Sequence, residues 1–512
     1  MNSLPTLLAA LLVAAGASNC DQDVLPGVIR DIFGARSGNS PSPEASDSPP
    51  DETTRWESFF INDLPILAGQ KPCNGNGSFS QHKSYAYRDK SNDDTAHISM
   101  QKIIERSKYE FENHYVIAKD GYITQMIRII NPLADRARLK QPPVMLMHGG
   151  LLDPSVYVWA SSIQHHPEKY PRTSEDGPIT SWNRSLGFTL ANNGYDVWLV
   201  GTRGSDTQNA GRLEGEALKS FLAGTMGHIN TTLGERVFQS PSYWKYSFNE
   251  IISNEFPAQI KRVLELTGSR KVSVLTYSFS TIIAFSLFSS NPEISEKVHN
   301  HIALAPIIND IGTSKLLYIL KRFVILEIPN SVGTVLVSEL LLSRPTRDLL
   351  LTIGRSRRLR YSVIKSFFAL LTGSSGQYRT FFEPTVLGHI LQSISYMQIK
   401  HFCQQVIAKR LQKYDYGKFK NKLVYGQEKP PVYNISNQMV ENFMLVSASN
   451  DILAPPGSVK QILETINPKP LVHIDVQGYS HLDLSAAFDN DVTVNLPVLR
   501  FLDQHQLLNR GS

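Results

Sequence analysis

A serine with an acid and a histidine downstream of it, each after an aliphatic run, is a set of residue types that can perform acyl transfer. Thr276-Tyr277-Ser278-Phe279-Ser280 lies between a β-branched run, 272–275, and an apolar helical pattern, 281–288. A serine on a tight strand-to-helix turn lifts its hydroxyl above a sheet, and the helix N-terminus behind it favours developing negative charge. Such turns ordinarily carry glycine two residues to either side, because the bent backbone leaves little room for Cβ atoms. Here those places hold Thr276 and Ser280, and a serine in a turn is by itself far more often structural than catalytic. Ser278 gains its meaning from two loops later in the chain. Ser449-Asn450-Asp451 comes after the run 443–447, and Gly478-Tyr479-Ser480-His481 comes after the last run, 471–476. In that order Ser278 is the expected nucleophile, Asp451 the acid that fixes the imidazole tautomer, and His481 the base that takes and returns the proton.

Two other acids compete for the orienting role. Asp475 falls inside the last predicted strand, and Asp483 is too near His481 in sequence to reach its far nitrogen easily. Acyl transfer also needs backbone donors for the oxyanion. The N–H of Phe279, next after the serine, is one expected donor. The other is the N–H of Gly150 in the turn His148-Gly149-Gly150-Leu151, where small residues allow close approach. His148 is a second candidate base, but its place at a strand end before the glycines predicts bonds to neighbouring backbone instead.

These residues need a frame that brings several strand ends together. Runs at 144–147, 196–200, 272–275, 302–305, 443–447 and 471–476 alternate with helical patterns, which predicts an α/β fold: a mostly parallel central sheet flanked by helices. In open α/β sheets the loops after the strand C-termini carry the ligand. Alternation stops after Pro306, where Leu- and Ile-rich helical patterns such as 315–325 and 332–342 take over, so 307–392 reads as an inserted helical cap. The core is then split into 95–306 and 393–512. Residues 1–18, with an apolar stretch at 7–15 followed by Gly16, Ala17 and Ser18, read as a secretory signal peptide, and 19–94 as an extension containing a Ser/Pro-rich linker at 37–50.

Composition narrows the remaining classes. With 41% hydrophobic and 19% charged residues over 512 positions, the chain has the balance of a globular protein. The net charge of +5 is mild, and no basic patch with interleaved aromatics points to nucleic acid. One local cluster, Arg355, Arg357, Arg358 and Arg360, reads as a solvated helix face or as a contact with anionic lipid. Cys20, Cys73 and Cys403 allow at most one intramolecular disulfide, with the pairing open, and no Cys/His spacing predicts a metal. Asn76, Asn183, Asn230 and Asn434 head Asn-X-Ser/Thr triplets, candidate glycosylation sites that fit a secretory chain.

From about Ile98 onward the sequence resembles the acid lipase family of α/β-hydrolases, which includes lysosomal acid lipase and the gastric lipases. The segment 112–129, with Lys119-Asp120-Gly121-Tyr122-Ile123, is similar to that family's N-terminal stretch. So are Gly194-Tyr195-Asp196-Val197-Trp198-Leu199 with Arg203-Gly204, and Tyr246-Ser247-Phe248-Asn249-Glu250 with Pro257-Ala258. Ala303-Leu304-Ala305-Pro306, Tyr414-Asp415-Tyr416-Gly417, Pro430-Pro431-Val432-Tyr433-Asn434 and Tyr479-Ser480-His481-Leu482-Asp483 match in register further on. The resemblance implies an α/β-hydrolase fold with a cap, a triacylglycerol or sterol ester as substrate at a lipid–water interface, contact with a membrane or lipid droplet, no cofactor, and a secreted or lysosomal setting. It also marks a departure. The family turn reads Gly-His-Ser-Gln-Gly, and here four of the five positions differ while the serine stays. Phe279 in place of Gln removes a polar neighbour of the oxyanion, although a backbone donor survives that change. The competing expectations are a lipid-binding protein whose turn has lost catalysis, and a hydrolase of the same fold acting on an amide or thioester.

Overall fold

Continuous apolar runs between turn residues form strands that are covered on both faces, and that is how the middle of this chain is built. The computed structural model describes residues 98–162, 173–174, 177–178, 184–205, 209–212, 243–308, 328–334, 351, 365–375 and 384–507. Among them is a sheet of nine strands: β1 Glu110–Ile117, β2 Tyr122–Ile130, β3 Lys140–Met147, β4 Tyr195–Val200, β5 Asn209–Arg212, β6 Val272–Tyr277, β7 Val298–Leu304, β8 Asn442–Ala448 and β9 Val472–Val476. The spatial order is β1-β2-β4-β3-β6-β7-β8-β9, with β5 on β2. From β4 to β9 every neighbouring pair is parallel, while β1, β2 and β5 join antiparallel. The molecule is therefore an α/β-hydrolase fold with a mostly parallel sheet.

All six predicted runs are strands. The antiparallel β1 and β2 do not follow from the alternation read in the sequence. β1, Glu-Phe-Glu-Asn-His-Tyr-Val-Ile, is half-buried along most of its length, so its apolar signal is diluted by polar residues.

Successive side chains of the central strands point to opposite faces and divide the interior in two. Leu146, Leu199, Leu275, Ile302 and Val446 join one apolar cluster; Met145, Trp198, Val274, Ala303 and Leu445 join the other. Each buried Leu, Ile, Val or Met among them contributes about 2 kcal/mol relative to exposure. Helices cover both faces: α1 Leu186–Asn192, α2 Phe256–Thr267, α3 Phe279–Ser290, α4 Tyr396–Ala408, α5 Lys418–Tyr425, α6 Pro456–Thr465 and α7 Leu496–Gln504. The helix α3 is buried on all sides from Ser280 to Ser289. Within it Ser289 Oγ turns onto the helix's own backbone and donates to the Ser286 carbonyl at 3.2 Å.

The region read as a cap falls mostly outside the described residues, as do the basic cluster 355–360, the pattern 315–325, the N-terminal segments 1–94, and Cys20 and Cys73. The described parts of 307–392 include the helices Lys365–Thr372 and Pro384–His389. Cys403 is buried in α4. Among the described residues no helix is long and apolar enough to cross a membrane.

Candidate active site

Four strand C-termini converge on Ser278: β3 leads into His148-Gly149-Gly150, β6 into the serine itself, β8 into Asp451 and β9 into His481. Ser278 has φ 59° and ψ −122°, a conformation that costs a side-chain-bearing residue about 1–3 kcal/mol. Both its backbone groups are used. Its N–H donates to the Leu304 carbonyl at 3.0 Å, and its carbonyl accepts from the Thr281 N–H at 2.9 Å. The neighbours that replace glycine have found partners of their own. Ser280 Oγ accepts from the Tyr277 N–H at 2.7 Å and lies 3.1 Å from the Met147 carbonyl. Thr276 Oγ1 is 3.0 Å from Nε2 of His301, a buried imidazole whose pKa is pushed down to about 3 by desolvation. The two hydroxyls thus tie the turn to β3 and β7, where glycines would leave it untied.

His481 lies between serine and acid. Its Nδ1 is 2.7 Å from Asp451 Oδ2 and its Nε2 is 2.8 Å from Ser278 Oγ. A carboxylate only accepts, so Nδ1 carries the proton and Nε2 is left to accept from the serine hydroxyl. Asp451 Oδ1 accepts from the N–H groups of Leu453 and Ala454 at 2.7 and 2.8 Å, which stops the carboxylate rotating away. Tyr277 stacks on the imidazole, and its hydroxyl donates to the His481 carbonyl at 2.7 Å. All three members are nearly inaccessible: Ser278 is 4% exposed, His481 3% and Asp451 2%.

The rival acids point elsewhere. Asp475 accepts from Ser447 Oγ at 2.7 Å and from Gln477 Nε2 at 2.8 Å. Asp483 accepts from the Ser480 N–H at 2.7 Å and from Ser375 Oγ at 2.8 Å, and burial holds its carboxyl above the usual range. His148 donates from Nδ1 to the Gly149 carbonyl at 2.8 Å and accepts at Nε2 from the Thr202 N–H at 3.1 Å. Desolvation keeps that imidazole below its ordinary pKa, so it is a neutral brace for the turn. Beside Thr202, Arg203 is buried against Glu255 and Asp120 and lies over the Tyr122 ring, anchoring the loop that braces His148.

On the other side of the serine lies the turn Gly149-Gly150. A Cβ on Gly150 would sit 2.5 Å from the Phe279 ring, so the aromatic side chain occupies the space a larger residue would need. Phe279 packs in turn on Phe402 of α4, centroids 4.6 Å apart, and edge-on against Phe248. Neither the Gly150 nor the Phe279 N–H meets an acceptor among the described residues. A cavity of ≈ 20 Å³ beside this turn, between His148, Thr202 and Gln398, has room for one water.

Sequence reasoning missed how the insertion holds both sides. Residues 372–375 run across the loops that carry the acid and the base. Thr372 offers its carbonyl to the His481 N–H at 3.0 Å, the Ser374 carbonyl accepts from Asn450 Nδ2 at 3.2 Å, and Ser375 Oγ donates to Asp483. Between them Gly373 takes φ +99°, and a Cβ there would meet the Asn450 carbonyl at 1.9 Å, so only glycine fits. On the oxyanion side, His389 Nδ1 is 2.9 Å from Asp153 Oδ2, and the Gln392 N–H donates to the Leu151 carbonyl at 2.9 Å. The spacing of Ser, Thr and Gly in 372–375 reads as an ordinary loop, and no local pattern announces these contacts. Of the four glycosylation candidates, Asn434 is exposed, and Asn76, Asn183 and Asn230 lie outside the described residues.

Comparison with known proteins bears on this geometry. Residues 100–162 match the family model described as the partial alpha/beta-hydrolase lipase region. Gastric triacylglycerol lipase of Bos taurus is 27% identical over 408 residues, covering 77% of this chain and 88% of that protein. Lipase member K of Mus musculus is 26% identical over 413 residues, covering 80% of this chain and 92% of its own. Lipase 1 of Drosophila melanogaster is 28% identical over 393 residues, covering 77% and 76%.

Proposed function

We propose that the chain is an acid lipase-like α/β-hydrolase that cleaves carboxylic esters of lipids, with Ser278, His481 and Asp451 performing the cleavage through an acyl-enzyme. The observation that carries this reading is the pair of short contacts on one imidazole, 2.7 Å to Asp451 and 2.8 Å to Ser278. Ser278 Oγ attacks the acyl carbon while His481 Nε2 takes its proton; the same nitrogen then returns the proton to the departing alkoxide. Asp451 holds the imidazole in the tautomer this needs and stabilises the imidazolium as it forms. The N–H groups of Gly150 and Phe279 receive the charge that develops on the former carbonyl oxygen. Water then attacks the acyl-enzyme with His481 again as base.

The substrate on this reading is a triacylglycerol or sterol ester met at a lipid–water interface. The apolar stretch at 7–15 and the exposed sequon at Asn434 support passage through the secretory route to a secreted or lysosomal destination. The insertion 307–392 would cap the site, a role supported by its contacts at Thr372, Ser374, Ser375, His389 and Gln392.

The test is hydrolysis of short- and long-chain fatty acyl esters by the parent and by Ser278→Ala, from acidic to neutral pH. Turnover in the parent and a loss of about 10⁴-fold or more in the variant is expected. No turnover in either protein, with lipid still bound, would leave a lipid carrier. The partners of Thr276 and Ser280 weigh against that outcome, because they give the turn a way to keep its shape without glycines.

A further inference from the structure

On α5, Lys418–Tyr425, only Asn421 is buried, and Tyr425, one turn later on the same side, is half-buried. These two residues fasten the helix. Asn421 Nδ2 donates to Asp415 Oδ1 at 2.7 Å and to the Glu428 carbonyl at 2.9 Å, and the Tyr425 hydroxyl donates to the Tyr414 carbonyl at 2.9 Å. At 100° per residue, the direction opposite Asn421 and Tyr425 belongs to Phe419 and Leu423. Both point out of the protein, 80% and 72% exposed, with Val424 beside them at 51%. Lys418 and Lys422 flank this stripe on one side and Lys420 on the other, all exposed.

An apolar ridge between lysines is an unusual thing to leave in water, and the charge around it is concentrated. From Ile407 to Val432 the chain holds seven lysines and arginines against Asp415 and Glu428, a surplus of five that equals the net charge of all 512 residues. Asp415 faces inward onto Asn421 and the Gly417 N–H, and Glu428 is 3.8 Å from Lys422, so neither acid masks Lys418 or Lys420. A run of ring contacts leads from the helix to the active site: Tyr425 to Tyr416, Tyr416 to Tyr414, Tyr414 to His401, His401 to Phe248 and Phe248 to Phe279.

We propose that α5 is an interfacial anchor: Phe419 and Leu423 enter the acyl boundary of an anionic lipid surface while Lys418, Lys420 and Lys422 pair with its headgroups. The proposal rests on the lipid-ester reading of the enzyme, since it is such a surface that holds the substrate. The apolar ridge accounts for insertion, the lysine flanks for selection of negative lipid, and the side-on geometry for a helix lying in the interface plane.

The experiment uses the full chain with vesicles of phosphatidylcholine, alone and mixed with phosphatidylserine, in a flotation assay at low and high salt. The parent should float with the mixed vesicles and be released by salt. The double variant Phe419→Ser, Leu423→Ser should bind them at least tenfold more weakly, and the triple variant Lys418→Gln, Lys420→Gln, Lys422→Gln should lose the preference for phosphatidylserine. Equal flotation of parent and variants, or none by the parent, would overturn the anchor. So would a drop in molecular mass by light scattering in the apolar variant, which would make the ridge a contact between two copies of the chain. Hydrolysis of a water-soluble short-chain ester on the same preparations reads Ser278 separately. It stays level across all three proteins if the helix only anchors, and a fall confined to the variants would overturn the proposal by tying the helix to the site itself.

Discussion

The two sides of Ser278 are held by different physics. Toward the acid and base, positions are set by hydrogen bonds of 2.7 to 3.2 Å that run through Asp451, His481, Asn450 and Thr372. Toward the oxyanion turn, hydrogen bonds from His148 and Gln392 hold the ends of the turn, but the space at Gly150 itself is set by the Phe279 ring, which is wedged between it and Phe402. Hydrogen bonds are directional and tolerate little change of residue type, whereas close packing tolerates exchange as long as the summed volume is kept. Of the four departures from Gly-His-Ser-Gln-Gly, Phe279 is the one on the side where exchange is tolerated, while Thr276, Tyr277 and Ser280 make hydrogen bonds of their own. A large aromatic at 279 is matched by the smallest residue at 150.

The largest effect that would break this comparison is on the hydrogen-bonded side. Asp451→Asn should leave the fold intact and lower kcat by about 10⁴-fold, because the amide favours the wrong imidazole tautomer; steady-state hydrolysis of a soluble ester measures it. On the packed side, Gly150→Ala should cost roughly 10- to 100-fold in kcat by shifting the turn on the order of an ångström. Adding Phe279→Leu should recover most of that loss, since the missing ring atoms make room for the new methyl. Failure of that rescue would mean the aromatic has a role beyond filling space.

Acid should weaken the core. In the unfolded chain His301 and His401 take up protons near pH 6.5, but in the folded protein burial pushes them down to about 3 and about 4. Through that window the unfolded state binds more protons, so stability is full above about pH 6.5 and falls as the pH drops, until the folded imidazoles protonate as well. At pH 5 each withdraws about 2 kcal/mol. Urea midpoints at pH 7.5 and pH 5 should differ accordingly, and His301→Gln should narrow the gap. The smallest effect is expected at Thr276→Val, which leaves His301 Nε2 without its partner. It should lower stability by about 1–2 kcal/mol in thermal melts, with a fall in kcat of no more than about tenfold because Ser280 still ties the turn to β3.

How much of this could be read from residues alone depended on range. Strands β3, β4 and β6 to β8 were legible because they are buried on both faces and rich in apolar residues, and β9 through β-branched Val472, Ile474 and Val476 alternating with exposed His473 and Asp475. The order of Ser278, Asp451 and His481 was legible because each comes directly after such a run. What stayed hidden is what distance along the chain conceals. Nothing near Gly150 predicts the ring of Phe279, nothing near Thr276 predicts His301, and nothing in 372–375 predicts that the segment clasps loops some 75 to 110 positions later. The strand β1 escaped for a different reason, since a half-buried edge strand carries mixed composition, and β2 because Thr124, Gln125 and Arg128 interrupt its apolar residues.

Ser278 sits in a backbone conformation that glycine adopts without strain and other residues do not. The strain is present whether or not an ester is bound, so it is a permanent subtraction from the free energy that keeps the chain folded, about 1–3 kcal/mol out of a total of the order of ten. Durability and reactivity therefore pull in opposite directions at this one position. A selection for heat resistance alone, with no assay of hydrolysis, would accept glycine at 278 and discard the hydroxyl on which the proposed chemistry depends.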